Sequence, residues 1–169
     1  MNLETAIKTA IEYETRIRDL YLDASGDIPD PVGQALFKAL GEDEQYHLSY
    51  LQDRLRQWER SGEVTFEALK TTVPSREAVT RGVKALRRRM AEDDRGDEKQ
   101  MLSKALEVEV ETSDFYRRLV GELSGEAQRM FARFLEIEDS HIAIVQAQLD
   151  YLIQSGYWFD FKEFDMEDF

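Results

Sequence analysis

Cysteine is absent from the 169-residue chain, which excludes disulfides, iron–sulfur clusters and thiolate zinc sites. Any metal the chain holds must sit on oxygen and nitrogen donors. Only three prolines and nine glycines interrupt the sequence, while 34% of residues are charged. With those charges spaced periodically, the composition reads as mostly helix. Positive charge is in deficit, 22 Lys and Arg against 35 Asp and Glu, for a net charge of −13. A nucleic-acid partner is therefore not expected, because phosphate binding needs clustered Lys and Arg. No run of eighteen apolar residues occurs, and Met1-Asn-Leu-Glu-Thr has no basic segment leading into an apolar one. The expectation is a soluble cytoplasmic protein with no membrane partner. The length suits one domain with a sizeable core.

Histidine is nearly absent as well, and the two that occur are placed alike. His47 follows Glu44 by three residues, and His141 follows Glu138 by three. In the second of these stretches Phe134, Glu138, His141, Val145, Leu149 and Leu152 recur at spacings of three and four, one inward stripe on a helix. Apolar stripes do not normally contain Glu. A buried carboxylate is expensive unless opposite charge is held beside it. Glu-x-x-His is the spacing by which four-helix bundles bring two metal ligands to one face. With 20 Glu among 169 residues, chance would put Glu at minus three from both histidines roughly once or twice in a hundred sequences.

Taken in order, the chain predicts a first helix over residues 3–24, with Glu14 inside the stripe Ile7, Ala10, Ile11, Ile17, Tyr21, Ala24. Ser25 to Pro31 is a turn cluster, with Asp30 as N-cap and Pro31 at the first helical position. A second helix to about Arg60 has the stripe Phe37, Leu40, Glu44, His47, Leu51, Leu55, Trp58 and ends at Ser61-Gly62. The connection from 63 to 96 contains a helix start at Val73-Pro-Ser75 and a narrow seam of Val79, Val83, Leu86 and Met90. Its basic run Arg87-Arg88-Arg89 is followed by acids at 92–94, which reads as a solvated, self-compensating face. Adjacent antiparallel helices need only about two to eight linking residues. So long a connection suits a crossover along a bundle or an arm exchanged with a second subunit. A third helix over about 97–123 has Glu109 among Leu102, Ala105, Leu106, Thr112, Tyr116, Leu119 and Leu123. The fourth, after Ser124-Gly125, runs to about Gln154 before Gly156. The tail, 156–169, alternates acids with aromatics and is expected to pack on the bundle or on a dimer mate, or else to dock on another protein.

The stretch Ala10 to Ala24 aligns without gaps on Ala105 to Leu119 at an offset of 95, and the second and fourth helices match at 94. The chain is two copies of a helical hairpin, each offering Glu and then Glu-x-x-His. Each ligand candidate lies roughly 16–21 Å from the start of its helix, so Glu14, Glu44, His47, Glu109, Glu138 and His141 can meet at mid-bundle. Four carboxylates balance two divalent cations. Oxygen-rich donors with one imidazole per ion suit iron or manganese over zinc. Tyr21 and Tyr116, two turns past Glu14 and Glu109, either hydrogen-bond to ligands across the site or fill core.

At these residues the sequence resembles the rubrerythrin branch of the ferritin-like superfamily. The resemblance covers about residues 3–155 and implies an all-α, ferritin-like four-helix bundle with a long, partly helical crossover between its second and third helices. It further implies that Glu44 and Glu138 bridge two iron ions, with Glu14 and His47 on one and Glu109 and His141 on the other. There are two departures. No rubredoxin-like domain is possible without cysteine, so electrons would come from a separate donor protein. Where the family has a further Glu, this chain has Thr112, with Glu111 on a different face, which implies a symmetric six-ligand site. The expected activity is reduction of hydrogen peroxide or reaction with O2, in a homodimer; the alternative is ferroxidase chemistry for iron storage, and a third is a metal-free helical adaptor.

Overall fold

Capping residues set where the helices begin and end. The Asn2 side chain accepts from Thr5 N at 2.8 Å and opens α1 (Leu3–Asp27). Asp30 accepts from Val32 N at 2.9 Å and, with Pro31 behind it, opens α2 (Pro31–Ser61). Gly62 and Gly156, at φ of 69° and 71°, close α2 and α5 (Gly125–Ser155) in the left-handed conformation that glycine tolerates best. Between them lie α3 (Arg76–Leu86) and α4 (Gly96–Glu122). The computed structural model describes residues 1–86 and 96–160, among which every regular element is helical. The fold is all-α.

The first helix runs one turn further than its sequence predicts, through Ser25-Gly-Asp27, and the turn shrinks to residues 28–30. Ile28 N–H caps it on Ala24 O at 3.1 Å, and the extra turn delivers the Ile28 side chain into the core.

Short links make α1 with α2, and α4 with α5, into two closely packed antiparallel hairpins, and α1 also meets α4. Residues 63–75 cross the bundle without helix. Tyr50 Oη donates to Glu67 O at 2.8 Å, Arg54 Nη1 to Thr65 O at 2.8 Å and Arg133 Nε to Leu69 O at 3.0 Å. Val64, Leu69 and Val73 of this strap are buried. Then α3 packs on α5, with Val79 inward. The side chain of Leu86, Met90, the run Arg87-Arg88-Arg89 and the acids at 92–94 lie outside the described residues.

The apolar core falls into two clusters. One gathers Ile17, Tyr21, Phe37, Leu40, Ile144, Leu152 and Trp158. The other gathers Ile7, Leu51, Phe115, Tyr116, Phe131 and Phe134. Each fully buried large side chain contributes about 1.5–3 kcal/mol, and the polar residues of the candidate site are packed between the two. Trp158 and Phe159, just past α5, return to the bundle. The Trp158 ring meets Phe37 edge-on at 6.1 Å, and the Gln148 amide donates to Phe159 O and accepts from Phe159 N, each at 3.1 Å. The rest of the tail, residues 161–169, lies outside the described residues.

A Cβ at Gly33 would lie 2.7 Å from Trp158 Cε2 and 2.8 Å from Ile28 Cγ2. Gly33→Ala is expected to cost about 1–3 kcal/mol and to red-shift tryptophan emission as Trp158 is displaced. At Gly41 the near atoms belong to the Leu22 side chain, Cδ2 at 2.8 Å, and Leu22 is exposed enough to rotate away. Gly41→Ala should therefore stay within about 1 kcal/mol of neutral, helix propensity offsetting the crowding. Thermal unfolding followed by circular dichroism measures both.

Candidate metal centre

Glu14 comes from α1, Glu44 and His47 from α2, Glu109 from α4, and Glu138 and His141 from α5. All six are 0% exposed. His47 Nδ1 lies 2.8 Å from Glu44 Oε2, 3.1 Å from Glu14 Oε2 and 3.8 Å from Glu138 Oε1. His141 Nδ1 lies 2.7 Å from Glu44 Oε1, 3.6 Å from Glu109 Oε1 and 3.9 Å from Glu138 Oε2. Glu44 and Glu138 thus each turn one oxygen toward each ring. The two imidazoles lie nearly parallel, 5.6 Å apart at 10°. Glu14, Glu44, His47 and Glu138 form one group whose donor atoms lie within 4.8 Å of one another, and Glu44, Glu109, Glu138 and His141 form a second. The groups share Glu44 and Glu138.

The tyrosines cross between repeats. Tyr21 Oη donates to Glu109 Oε1 and Tyr116 Oη to Glu14 Oε1. Burial, followed by the facing carboxylate, pushes both phenols well above their ordinary pKa, so they stay protonated and donate. Glu111 sits on the surface, paired with Arg16. Thr112 is buried but turns its hydroxyl back to Val108 O at 2.9 Å.

Several donors here have no partner. Glu44 Oε1, Glu109 Oε2, both Glu138 oxygens and His141 Nδ1 are buried without a formed hydrogen bond. Leaving such atoms unsatisfied costs about 1–3 kcal/mol apiece, more for charged groups. Cations between the two groups would satisfy them together, and carboxylate oxygen with imidazole nitrogen suits iron or manganese. The residues fit a metal.

Without a cation, protons carry the compensating charge. Burial, reinforced by Glu44, raises Glu14 to about 8. Burial and the neighbouring carboxylates push Glu138 well up. Burial disfavours the His47 cation, but Glu44 and Glu14 outweigh it and hold the ring at about 10. His141 is raised likewise, by Glu44, Glu109 and Asp43 against its burial. Burial works against the Glu44 charge too, yet the two imidazoles hold it well below its ordinary value.

All six residues expected from the sequence are brought together. One participant was missed. Asp43, buried on α2, accepts from His141 Nε2 at 3.2 Å and lies 3.5 Å from His47 Nε2. Its place four residues before His47, on the same helical face, was the available signal. In comparisons with known proteins, no protein-family model, no curated protein and no solved structure matches the chain. What fold and site define is a helical bundle with buried carboxylate and imidazole groups that could hold a metal ion.

Two outcomes follow from the proton load. On folding, Glu14 rises from 4.5 to about 8 and His47 from 6.5 to about 10. A folded state that holds protons more tightly than the unfolded chain loses stability as they leave. The metal-free protein is therefore expected to weaken as pH rises from about 5, losing the Glu14 contribution by about pH 8 and that of His47 by about pH 10. Glu44, held low, gives the opposite limb in acid. Thermal midpoints against pH read this; a plateau from pH 5 to 9 contradicts it. Second, divalent cations taken up at pH 7 compete with protons for His47, held at about 10, and Glu14, held at about 8, while His141 and Glu138 are raised in the same direction. A pH-stat titration should record protons released as metal binds, and a release of none contradicts the site.

Proposed function

We propose that the chain is a di-iron redox protein of the ferritin-like superfamily, similar to its rubrerythrin branch. It reduces hydrogen peroxide, or reacts with O2, with electrons from a separate donor protein. The observation that supports this best is the pair of four-residue donor groups sharing Glu44 and Glu138, each with one imidazole and one further carboxylate. Glu14 and His47 would hold one ion, Glu109 and His141 the other, and Glu44 and Glu138 both. Two ferrous ions held there would supply the two electrons that, with two protons, convert hydrogen peroxide to two waters.

The chain's own residues do the rest. Full burial of the six donors keeps bulk water out. Tyr21 and Tyr116, held protonated, fix Glu109 Oε1 and Glu14 Oε1 and so limit where those carboxylates can swing. Glu138 makes no hydrogen bond of its own, which leaves it the carboxylate freest to shift as charge on the ions rises. The working unit in this reading is a cytoplasmic homodimer.

Fe(II) loaded anaerobically at two per chain should be oxidised by one equivalent of peroxide far faster than free Fe(II), with absorbance of bound ferric ion appearing as peroxide disappears. Glu138→Ala should abolish the fast phase. Oxidation no faster than in buffer, or accumulation of many irons per chain as mineral, would contradict the peroxidase reading. Native manganese in place of iron, found on elemental analysis, would contradict the metal assignment.

A further inference from the structure

The second repeat departs from the first at a buried position beside the site. The offset of 94 sets Ile137 where the first copy has Asp43, and both are buried. Faithful copies would give each imidazole its own carboxylate four residues earlier. Instead one carboxylate faces both rings. Asp43 Oδ2 accepts from His141 Nε2 at 3.2 Å, and His47 Nε2 points to the same oxygen at 3.5 Å, just past a formed bond. On its other side Asp43 is clamped by the crossover. Oδ2 accepts from Thr71 Oγ1 at 2.5 Å, and Oδ1 accepts from Thr72 N at 2.9 Å and Thr72 Oγ1 at 3.2 Å. Thr71 Oγ1 in turn accepts from Val73 N at 3.1 Å.

A neutral imidazole carries one N–H, and the partner of one nitrogen decides whether the other is free to bind a metal. Here both Nδ1 atoms face the glutamates and both Nε2 atoms face Asp43. Resting on the metal reading above, we infer that Asp43 is a positioning residue shared by both imidazoles. It holds the proton of each ring on Nε2 and leaves both Nδ1 lone pairs for cations. Thr71 and Thr72 tie that arrangement to the crossover strap. Because one carboxylate serves both rings, disturbing it weakens both ions together.

The probe is Co(II), titrated anaerobically into the full chain, with Nε2–H resonances of the Zn(II)-loaded, 15N-labelled protein as the second readout. Wild type should take two Co(II). Asp43→Asn keeps a carbonyl oxygen for Thr72 N but turns an NH2 donor toward the two Nε2 atoms in place of Oδ2, and should weaken both ions by about tenfold to a hundredfold and displace the Nε2–H resonances. Thr71→Val should act in the same direction less strongly and Thr71→Ser, which keeps the hydroxyl, should restore wild-type affinity. These threonine variants decide the matter if the Asp43 variant does not fold. Unchanged affinity and resonances in Asp43→Asn would overturn the inference, as would weakening of one ion alone. Three Co(II) in wild type against two in the variant would make Asp43 a ligand and overturn it as well. A folded wild type that binds no Co(II) defeats the metal reading itself, a result separate from all of these.

Discussion

Four glutamates and two histidines taken wholly out of water are the constraint on which the rest of this structure depends. The effective desolvation penalty is several kcal/mol per ion, and the attraction between imidazolium and carboxylate returns it only where geometry is good. Protons meet the demand in part, since burial and the neighbouring charges make Glu14, Glu138 and both rings hold them more tightly than usual. They leave six atoms of these residues without partners, among them His47 Nε2. A pair of divalent cations would meet the same demand on the carboxylate oxygens and Nδ1 atoms together.

The fold carries this cost by placing apolar layers on both sides of the site. Phe37, Tyr21 and Trp158 pack on one side and Phe131, Phe134 and Tyr116 on the other. The two tyrosines belong both to those layers and to the site, through their hydroxyls on Glu109 and Glu14. Each bonds to the other repeat's glutamate, so the hairpins are stitched through the donors themselves. The crossover then adds what the repeat lacks, clamping the single carboxylate of Asp43 between the rings.

Much of this was legible in the residues. Glu inside an apolar stripe, both histidines at one spacing and a gapless internal repeat place the six donors without coordinates, because helical periodicity turns spacing into direction. Asp30, Pro31, Gly62 and Gly156 mark helix ends by local chemistry alone. Three features were not legible. The extra turn of α1 depends on where Ile28 finds core, a tertiary matter that overrides the Ser-Gly-Asp turn signal. Asp43 was passed over because the stripe was read through its apolar members, and a buried Asp declares itself only when a partner across the bundle is known. The tyrosine hydroxyls were open between two roles, which the distance between repeats decides.

The central claim is that the six donors converge on two cations. Elemental analysis of protein purified without added metal, with the metal-to-chain ratio taken on folded material, tests it most directly. Two transition-metal ions per chain is the predicted result. A folded chain that carries none, and takes up none when offered Fe(II) anaerobically, would contradict it.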